Sequence, residues 1–70
     1  MTENISNNLE LMRGMLYSKE EIDRNQLILR NETSYFMIYL RQEMLYFFDK
    51  VPVMEAGKEK YILTSIMSQG

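Results

Sequence analysis

The reactive side chains of this chain are hydroxyls, amines and carboxylates, because its 70 residues include no His and no Cys. Those two residue types supply the most frequent general base and the most reactive nucleophile of enzymes. Their absence also excludes disulfide bonds and the usual zinc ligands, so a metal ion would depend on carboxylates alone. The composition therefore predicts a protein that is not an enzyme and that uses no cofactor and no metal.

A second group of side chains has the types that contact nucleic acid. Asn pairs with adenine, Ser and Thr reach phosphates or base edges, and Arg and Lys neutralise phosphates. The candidate nucleic-acid contacts are Asn31, Thr33, Ser34, Tyr35, Arg41, Lys58 and Lys60. The alternative interpretation is that the Asn, Thr and Ser side chains only cap a helix, and that the two lysines lie at a solvated hairpin tip.

The overall charge does not favour nucleic acid as a partner. Eight Lys and Arg residues face ten Asp and Glu residues, which gives a net charge of −2. From residue 30 to residue 70, five basic residues balance five acidic ones. Because affinity for DNA depends on phosphate neutralisation, we expect this half of the chain to bind DNA weakly.

Aromatic residues are concentrated between residues 35 and 48, and aliphatic or Met side chains fill most of the positions between them. One helix face cannot bury all of these side chains, and a helix that is apolar nearly all round is either central or shared with a partner. Tyr and Met are enriched at protein interfaces. We expect a homodimer, or another protein partner, with a contact formed by Tyr35, Tyr39, Tyr46, Phe47 and Phe48. A dimer would also complete the small core that a chain of this length can build.

Three segments have the spacing or the caps of helices. Apolar residues at i, i+4, i+7 and i+11 predict a first helix over residues 4–16. The capping box Ser18-Lys19-Glu20-Glu21 predicts the start of a second helix. Polar residues at about 29–32 predict a turn, and a third helix follows at about 33–46. No Gly or Pro enforces that turn, so the alternative is an all-α chain in which one helix from Ser18 to about Asp49 forms a helical hairpin or coiled-coil dimer.

The chain changes character after this helical region. Pro52 discourages a helix, and Val51 and Val53 alternate with other residue types. Gly57 can adopt a positive φ in a turn, and Tyr61-Ile62-Leu63-Thr64 has the composition of a strand. These features predict a C-terminal β-hairpin. The polar ends are expected to fray around a single domain of residues 1–70 with its core at about 5–66.

This order of elements resembles the winged helix-turn-helix domain family. The similarity is carried by Leu40-Arg41-Gln42-Glu43, Val51-Pro52-Val53, residues 55–60 and Tyr61-Ile62-Leu63-Thr64, and by the Ser18-Lys19-Glu20-Glu21-Ile22 start of the second helix. The resemblance implies an α+β fold of three helices and a C-terminal hairpin, and a DNA-binding transcription regulator. Its third helix would present Asn31, Thr33, Ser34 and Tyr35 to the major groove, with Arg41 further along. Lys58 and Lys60 on the wing would contact phosphates.

The location predicted from the sequence is the cytoplasm. The first residues have neither a basic region nor an apolar run of the kind that forms a signal peptide. The longest apolar run, Tyr35–Leu40, is far shorter than the ~20 residues that cross a bilayer. Two functions stay open: a small dimeric regulator that binds DNA or acts in a DNA-associated complex, and an inhibitor or adaptor that binds protein without contacting nucleic acid.

Overall fold

The computed structural model describes residues 10–69, which form an antiparallel sheet with one short helix. The elements are β1 (Leu16–Ser18), α1 (Lys19–Arg24), β2 (Ile28–Glu32), β3 (Phe36–Arg41), β4 (Met44–Asp49), β5 (Val53–Glu55) and β6 (Lys58–Ser68). The strand order is β1-β6-β4-β3-β2, and β5 pairs with β6. Lys60 pairs with Ser18 of β1 and with Val53 of β5. The central strand β6 therefore has β1 on one edge and β4 followed by β5 on the other.

The predicted third helix is wrong, and with it the three-helix winged helix-turn-helix fold. Residues 33–46 instead contain β3, a turn at Gln42-Glu43 and the start of β4, with Tyr39 paired to Tyr46. The same pairing excludes the all-α alternative of one helix from Ser18 to Asp49. Apolar residues occupy almost every position here, so helical spacing and strand alternation both fit the segment. Pairing with neighbouring strands favours the sheet over a helix in this segment.

Two further boundaries differ from the expectation. The predicted turn at 29–32 is most of β2, which pairs Leu29 with Tyr39 and Glu32 with Met37 and has a bulge at Arg30. The first helix was predicted over residues 4–16. Its first six residues lie outside the described range, and residues 10–16 form no helix but a turn around Gly14, with a φ of 90°, and the first residue of β1.

The predicted start of the second helix is confirmed. The Glu21 amide donates to Ser18 Oγ at 3.2 Å, and the Ser18 amide donates to Glu21 Oε1 at 2.9 Å. These reciprocal bonds satisfy two amides that an isolated helix start would leave unpaired. The helix has only six residues. The part of the chain that the structure describes contains no helix with the length and apolar character needed to span a bilayer.

The helix ends early because Gln26 adopts a left-handed conformation, with a φ of 64°. Its amide donates to Asp23 O at 2.9 Å, and the Leu27 amide donates to Ile22 O at 3.3 Å. This is the Schellman arrangement of hydrogen bonds, which usually has Gly at the left-handed position. Leu27 and Ile22 are both buried in the core, which supplies the apolar contact that accompanies this motif. A Gln in this place gives the sequence no visible stop signal.

The predicted C-terminal hairpin is confirmed. Val53–Glu55 pairs with the first residues of β6, and the two turn residues Ala56 and Gly57 have φ values of 52° and 79°. Two positive φ angles in a two-residue loop match the twist of paired strands. The C-terminal residues that were expected to fray are paired as far as Ser68, which lies opposite Met44, and the Gln69 amide donates to Glu43 O at 2.8 Å.

The core lies on one face of the sheet, which we call the covered face. Its strand residues alternate along β3, β4 and β6, and they are Met37, Tyr39, Tyr46, Phe48, Tyr61 and Leu63. Ile22 of α1 is fully buried in the same cluster, which also contains Leu11 and Tyr17. The Phe48 ring meets Tyr39 and Tyr17 edge to face, at centroid distances of 5.5 and 6.2 Å. The helix and the segment before β1 therefore cover this face of the sheet.

Candidate functional site

The opposite face of the sheet carries a second set of apolar side chains. Directly opposed residues of an antiparallel pair project from the same face, so one continuous row crosses four strands through the pairs 28–40, 40–45 and 45–67. Beside this row, Ile38 lies opposite Phe47, and the Phe36 ring meets Phe47 edge to face at 6.1 Å. We call this set the open face: Ile28, Phe36, Ile38, Leu40, Leu45, Phe47 and Met67.

None of the seven open-face side chains is buried within the described chain. Ile28 is 70% exposed, Met67 52% and Phe36 38%, and the other four are half-buried by one another. The adjacent residues of the covered face include Phe48 and Leu63, which are fully buried. The sheet is therefore apolar on both faces, although the described chain covers only one of them.

A bulge in β6 determines which of its side chains lie on each face of the sheet. Phe47 lies opposite Ser65 and Phe48 opposite Leu63, which leaves Thr64 as an extra residue. The Thr64 hydroxyl donates to Phe47 O at 3.0 Å and fixes this irregularity. Because the bulge adds one residue, Leu63 and Ile66 can both pack on the covered side. Ser65 and Met67 are then placed on the open face.

Polar residues border the open face near Phe36, whereas the row from Ile28 to Met67 ends on both sides in exposed apolar side chains. Asn31 and Ser65 stand at the two ends of the row that contains Ile38 and Phe47, and Asp49 lies opposite Phe36. Towards the start of β6, the same side of the sheet carries the ion pair of Lys60 and Glu55, whose Nζ and Oε1 atoms are 3.0 Å apart. Hydrogen bonding to Glu55 raises the pKa of Lys60. An apolar centre with a polar rim is the usual anatomy of a protein interface.

The end of the open face next to Phe36 is held by a network around the β2–β3 loop. The Phe36 amide donates to Thr33 Oγ1 at 2.9 Å, and Lys50 Nζ donates to Thr33 O at 3.2 Å. Lys50 Nζ also lies 2.8 Å from Glu32 Oε2. The hydrogen bond and the charge of Lys50 lower the pKa of Glu32. The loop and the last residue of β2 are thereby tied to the end of β4.

The predicted nucleic-acid contacts do not lie on a helix. Asn31 is in β2, whereas Thr33, Ser34 and Tyr35 form the loop between β2 and β3. Arg41 is at the other end of β3, where its guanidinium lies 5.7 Å from the centre of the Tyr46 ring and donates to a backbone carbonyl of the α1–β2 connection at 3.4 Å. The structure therefore does not gather these residues on one recognition element.

The two wing lysines lie in β6, which begins at Lys58, and not in the hairpin turn where they were expected. Lys60 is held by Glu55, and Lys58 lines a shallow cleft with Lys19, Glu20 and Glu59 between α1 and β6. Opposite charges are interleaved here, so the positive potential that attracts phosphates is largely cancelled. Among residues 10–69 no three carboxylates come together as a metal site would require.

The predicted interface residues are divided between the two faces and a loop. Tyr39, Tyr46 and Phe48 are buried in the covered face, and burial of the Tyr39 hydroxyl raises its pKa. Phe47 is on the open face, and Tyr35 is 75% exposed in the loop that precedes Phe36. Most of the open-face residues were not among the predicted interface residues. The signal for them is a pair of apolar runs on either side of the polar Arg41-Gln42-Glu43, a pattern typical of strands that are apolar on both faces.

Comparison of this chain with protein-family models, with curated proteins and with solved structures gives no match. The open face is a feature of residues 10–69 that the fold itself does not explain.

Proposed function

We propose that this chain is a non-enzymatic protein-interaction module that binds its partner through the open face. One observation carries the proposal: seven apolar side chains are aligned in register across four strands, and none of them is buried. The expected partner is a protein with an apolar surface. Such a surface would take the place of the second layer that α1 supplies on the covered face.

The size of the open face supports this function. Three of these seven side chains are more than a third exposed, and the seven together leave an apolar patch on the order of a few hundred Å². The largest apolar patch of a soluble monomer is usually about 300–600 Å², and such patches are often binding sites. At about 25 cal/mol per Å², covering the patch would contribute on the order of 5–10 kcal/mol before the costs of association are subtracted.

The edges of the sheet are less suited to binding than its face. The edge strand β2 contains a bulge at Arg30 and carries a charged side chain at Glu32. Bulges and charges are the devices by which native proteins prevent an edge from pairing with another strand. The other edge strands, β1 and β5, have three residues each. The edges are therefore protected against pairing, whereas the open face is not.

The open face also favours protein over nucleic acid as the partner. It contains no Lys or Arg among its seven side chains, and phosphate binding requires cations. The DNA-binding hypothesis depended on a helix that enters the major groove, and its residues form a strand, a loop and a strand end instead. Two of the aromatic residues whose excess suggested an interface, Phe36 and Phe47, lie on the open face.

Site-specific photo-crosslinking in the cells that produce the protein tests this proposal. A photoreactive amino acid at position 67 would lie on the open face, and the same group at position 51 would be a matched control. Val51 is also an exposed apolar residue, but it lies in the link between β4 and β5. We expect protein adducts from position 67 in clear excess over position 51. Equal yields at the two positions would contradict the proposal.

A further inference from the structure

We propose that the partner of the open face is a second copy of this chain, packed sheet against sheet so that two open faces form a shared core. This inference rests on the proposed function and names its partner. Stacked sheets of this kind are separated by about 10 Å, with apolar side chains of both layers interdigitating between them. Each copy would then have a helix on its outer side and the partner's sheet on its inner side.

The chemistry of the open face makes it complementary to itself. In a two-fold interface each patch meets its own copy, so a charged centre would place like charges in contact. The central residues here are Ile38, Leu40, Leu45 and Phe47, none of which carries charge. The charges on this side of the sheet are at its margins, where Lys60 is already neutralised by Glu55. Homodimer interfaces are also the most apolar class of protein interface.

The area of the face is consistent with a small dimer. A specific interface buries about 800 Å² on each partner. The apolar patch supplies on the order of a few hundred Å² of this, and the polar residues beside it, which include Asn31, Asp49 and Ser65, add to the contact. The core of the described residues contains ten buried apolar side chains, of which Phe48, Ile22 and Leu63 are fully buried. A second layer would add the seven open-face side chains to these ten.

The residues that precede the described range are a weaker candidate to occupy the open face. The chain enters the fold on the covered side, where Leu11 is buried in the core and the Met12 amide donates to the Tyr17 hydroxyl at 2.8 Å. Residues 2–8 are polar except for Ile5. A second copy offers seven apolar side chains, whereas this segment offers few.

Sedimentation equilibrium of the full chain is the first test. We expect a mass of twice the 8.4 kDa chain at high protein concentration and the monomer mass on dilution. Leu45→Lys should weaken the dimer by about 100-fold or more, because it buries an unpaired charge at the centre of the contact. Val51→Lys adds the same charge in the exposed link between β4 and β5 and should leave the dimer unchanged. Unchanged monomer circular dichroism would show that Leu45→Lys still folds.

Nuclear Overhauser effects between labelled and unlabelled copies are the second test. Contacts between the Phe47 ring of one copy and the Ile38 or Leu40 methyl groups of the other would support the stacked faces, whereas contacts between two β2 strands would overturn them. A chain that stays monomeric at high concentration also overturns the dimer. If position 67 then still crosslinks to another protein, the proposed interaction function stands without the second copy. If position 67 gives no excess of adducts, both proposals fail.

Discussion

Phe47 and Phe48 are neighbours in β4, and they show how differently the two faces of this sheet are packed. The Phe48 ring is fully buried and meets Tyr17 and Tyr39 edge to face, whereas Phe47 is only half-buried and its aromatic neighbour is Phe36. The side chains are equally apolar, so composition does not explain the difference. What differs is the second layer: the covered face has α1 and the segment before β1, and the open face has none within residues 10–69.

The largest expected effect on stability comes from alanine substitutions at the two phenylalanines. Phe48→Ala should lower the free energy of unfolding by about 3–5 kcal/mol, because it leaves a cavity in a packed core. Phe47→Ala should lower it by less than about 1 kcal/mol in dilute solution, where the open face has no partner. Urea unfolding at low protein concentration measures both. Equal losses would mean that the two faces are packed alike.

A smaller effect is expected at the helix that covers the core. Ser18→Ala removes the hydroxyl that accepts from the Glu21 amide, and loss of such a cap costs about 1 kcal/mol. Thermal unfolding followed by circular dichroism should show a lower midpoint. Ser34→Ala, in the exposed β2–β3 loop, is the control and should leave the midpoint unchanged. An equal decrease of the midpoint in the two variants would show that loss of the cap is not its cause.

The other end of the helix offers a change in the opposite direction. Gln26→Gly should stabilise the protein by about 0.5–1 kcal/mol, because Gly adopts the left-handed conformation at this position without steric cost. Gln26→Ala is the control, since it retains a Cβ atom and should give no gain. The midpoint of urea unfolding distinguishes them. Stabilisation by Ala as well as by Gly would contradict a role for the φ of 64° at Gln26.

The smallest effect is expected from acid at the margin of the open face. The pKa of Glu32 is lowered by its hydrogen bond to Lys50, so its contribution to stability is full above the ordinary pKa of 4.5 and is lost as the pH falls through the lower folded value. Both groups are exposed, which keeps the effect small. Unfolding midpoints measured from neutral to acidic pH should show a shallower acid loss in Glu32→Gln and Lys50→Gln than in the parent chain. A steeper loss would contradict the ion pair.

The sequence could predict those elements whose signals are local. The capping box at Ser18 and the turn at Gly57 each depend on a few adjacent residues, and the structure confirms both. The β3–β4 hairpin was missed because its turn, Gln42-Glu43, contains no Gly, Pro or Asn, although Gln42 has a φ of 56°. Left-handed Gln26 conceals the end of α1 in the same way.

The sequence indicated the excess of apolar side chains that forms the open face, but not their positions on strands. The excess of apolar side chains between residues 35 and 48 predicted a helix that is apolar nearly all round, but most of these residues form β3 and β4. The partner inferred from the same excess stays a prediction. The choice between helix and strand needed the pairing of Tyr39 with Tyr46, which joins two segments across a turn. Phe36, Leu40, Met44 and Phe47 have the i, i+4, i+8 and i+11 spacing of one helix face, whereas the sheet has Met44 on the covered face and the other three on the open face.

The pairing of β1 with β6 has a consequence for the order in which the chain folds. Short turns join β2 to β3, β3 to β4 and β5 to β6, whereas Leu16 of β1 meets Ile62 from the other end of the chain. Closing that long loop costs more entropy than forming the successive hairpins. We expect the hairpins to form first and β1, with the segment before it, to dock last. A newly made sheet would then expose both apolar faces at once, which is the stage of greatest risk of aggregation during synthesis.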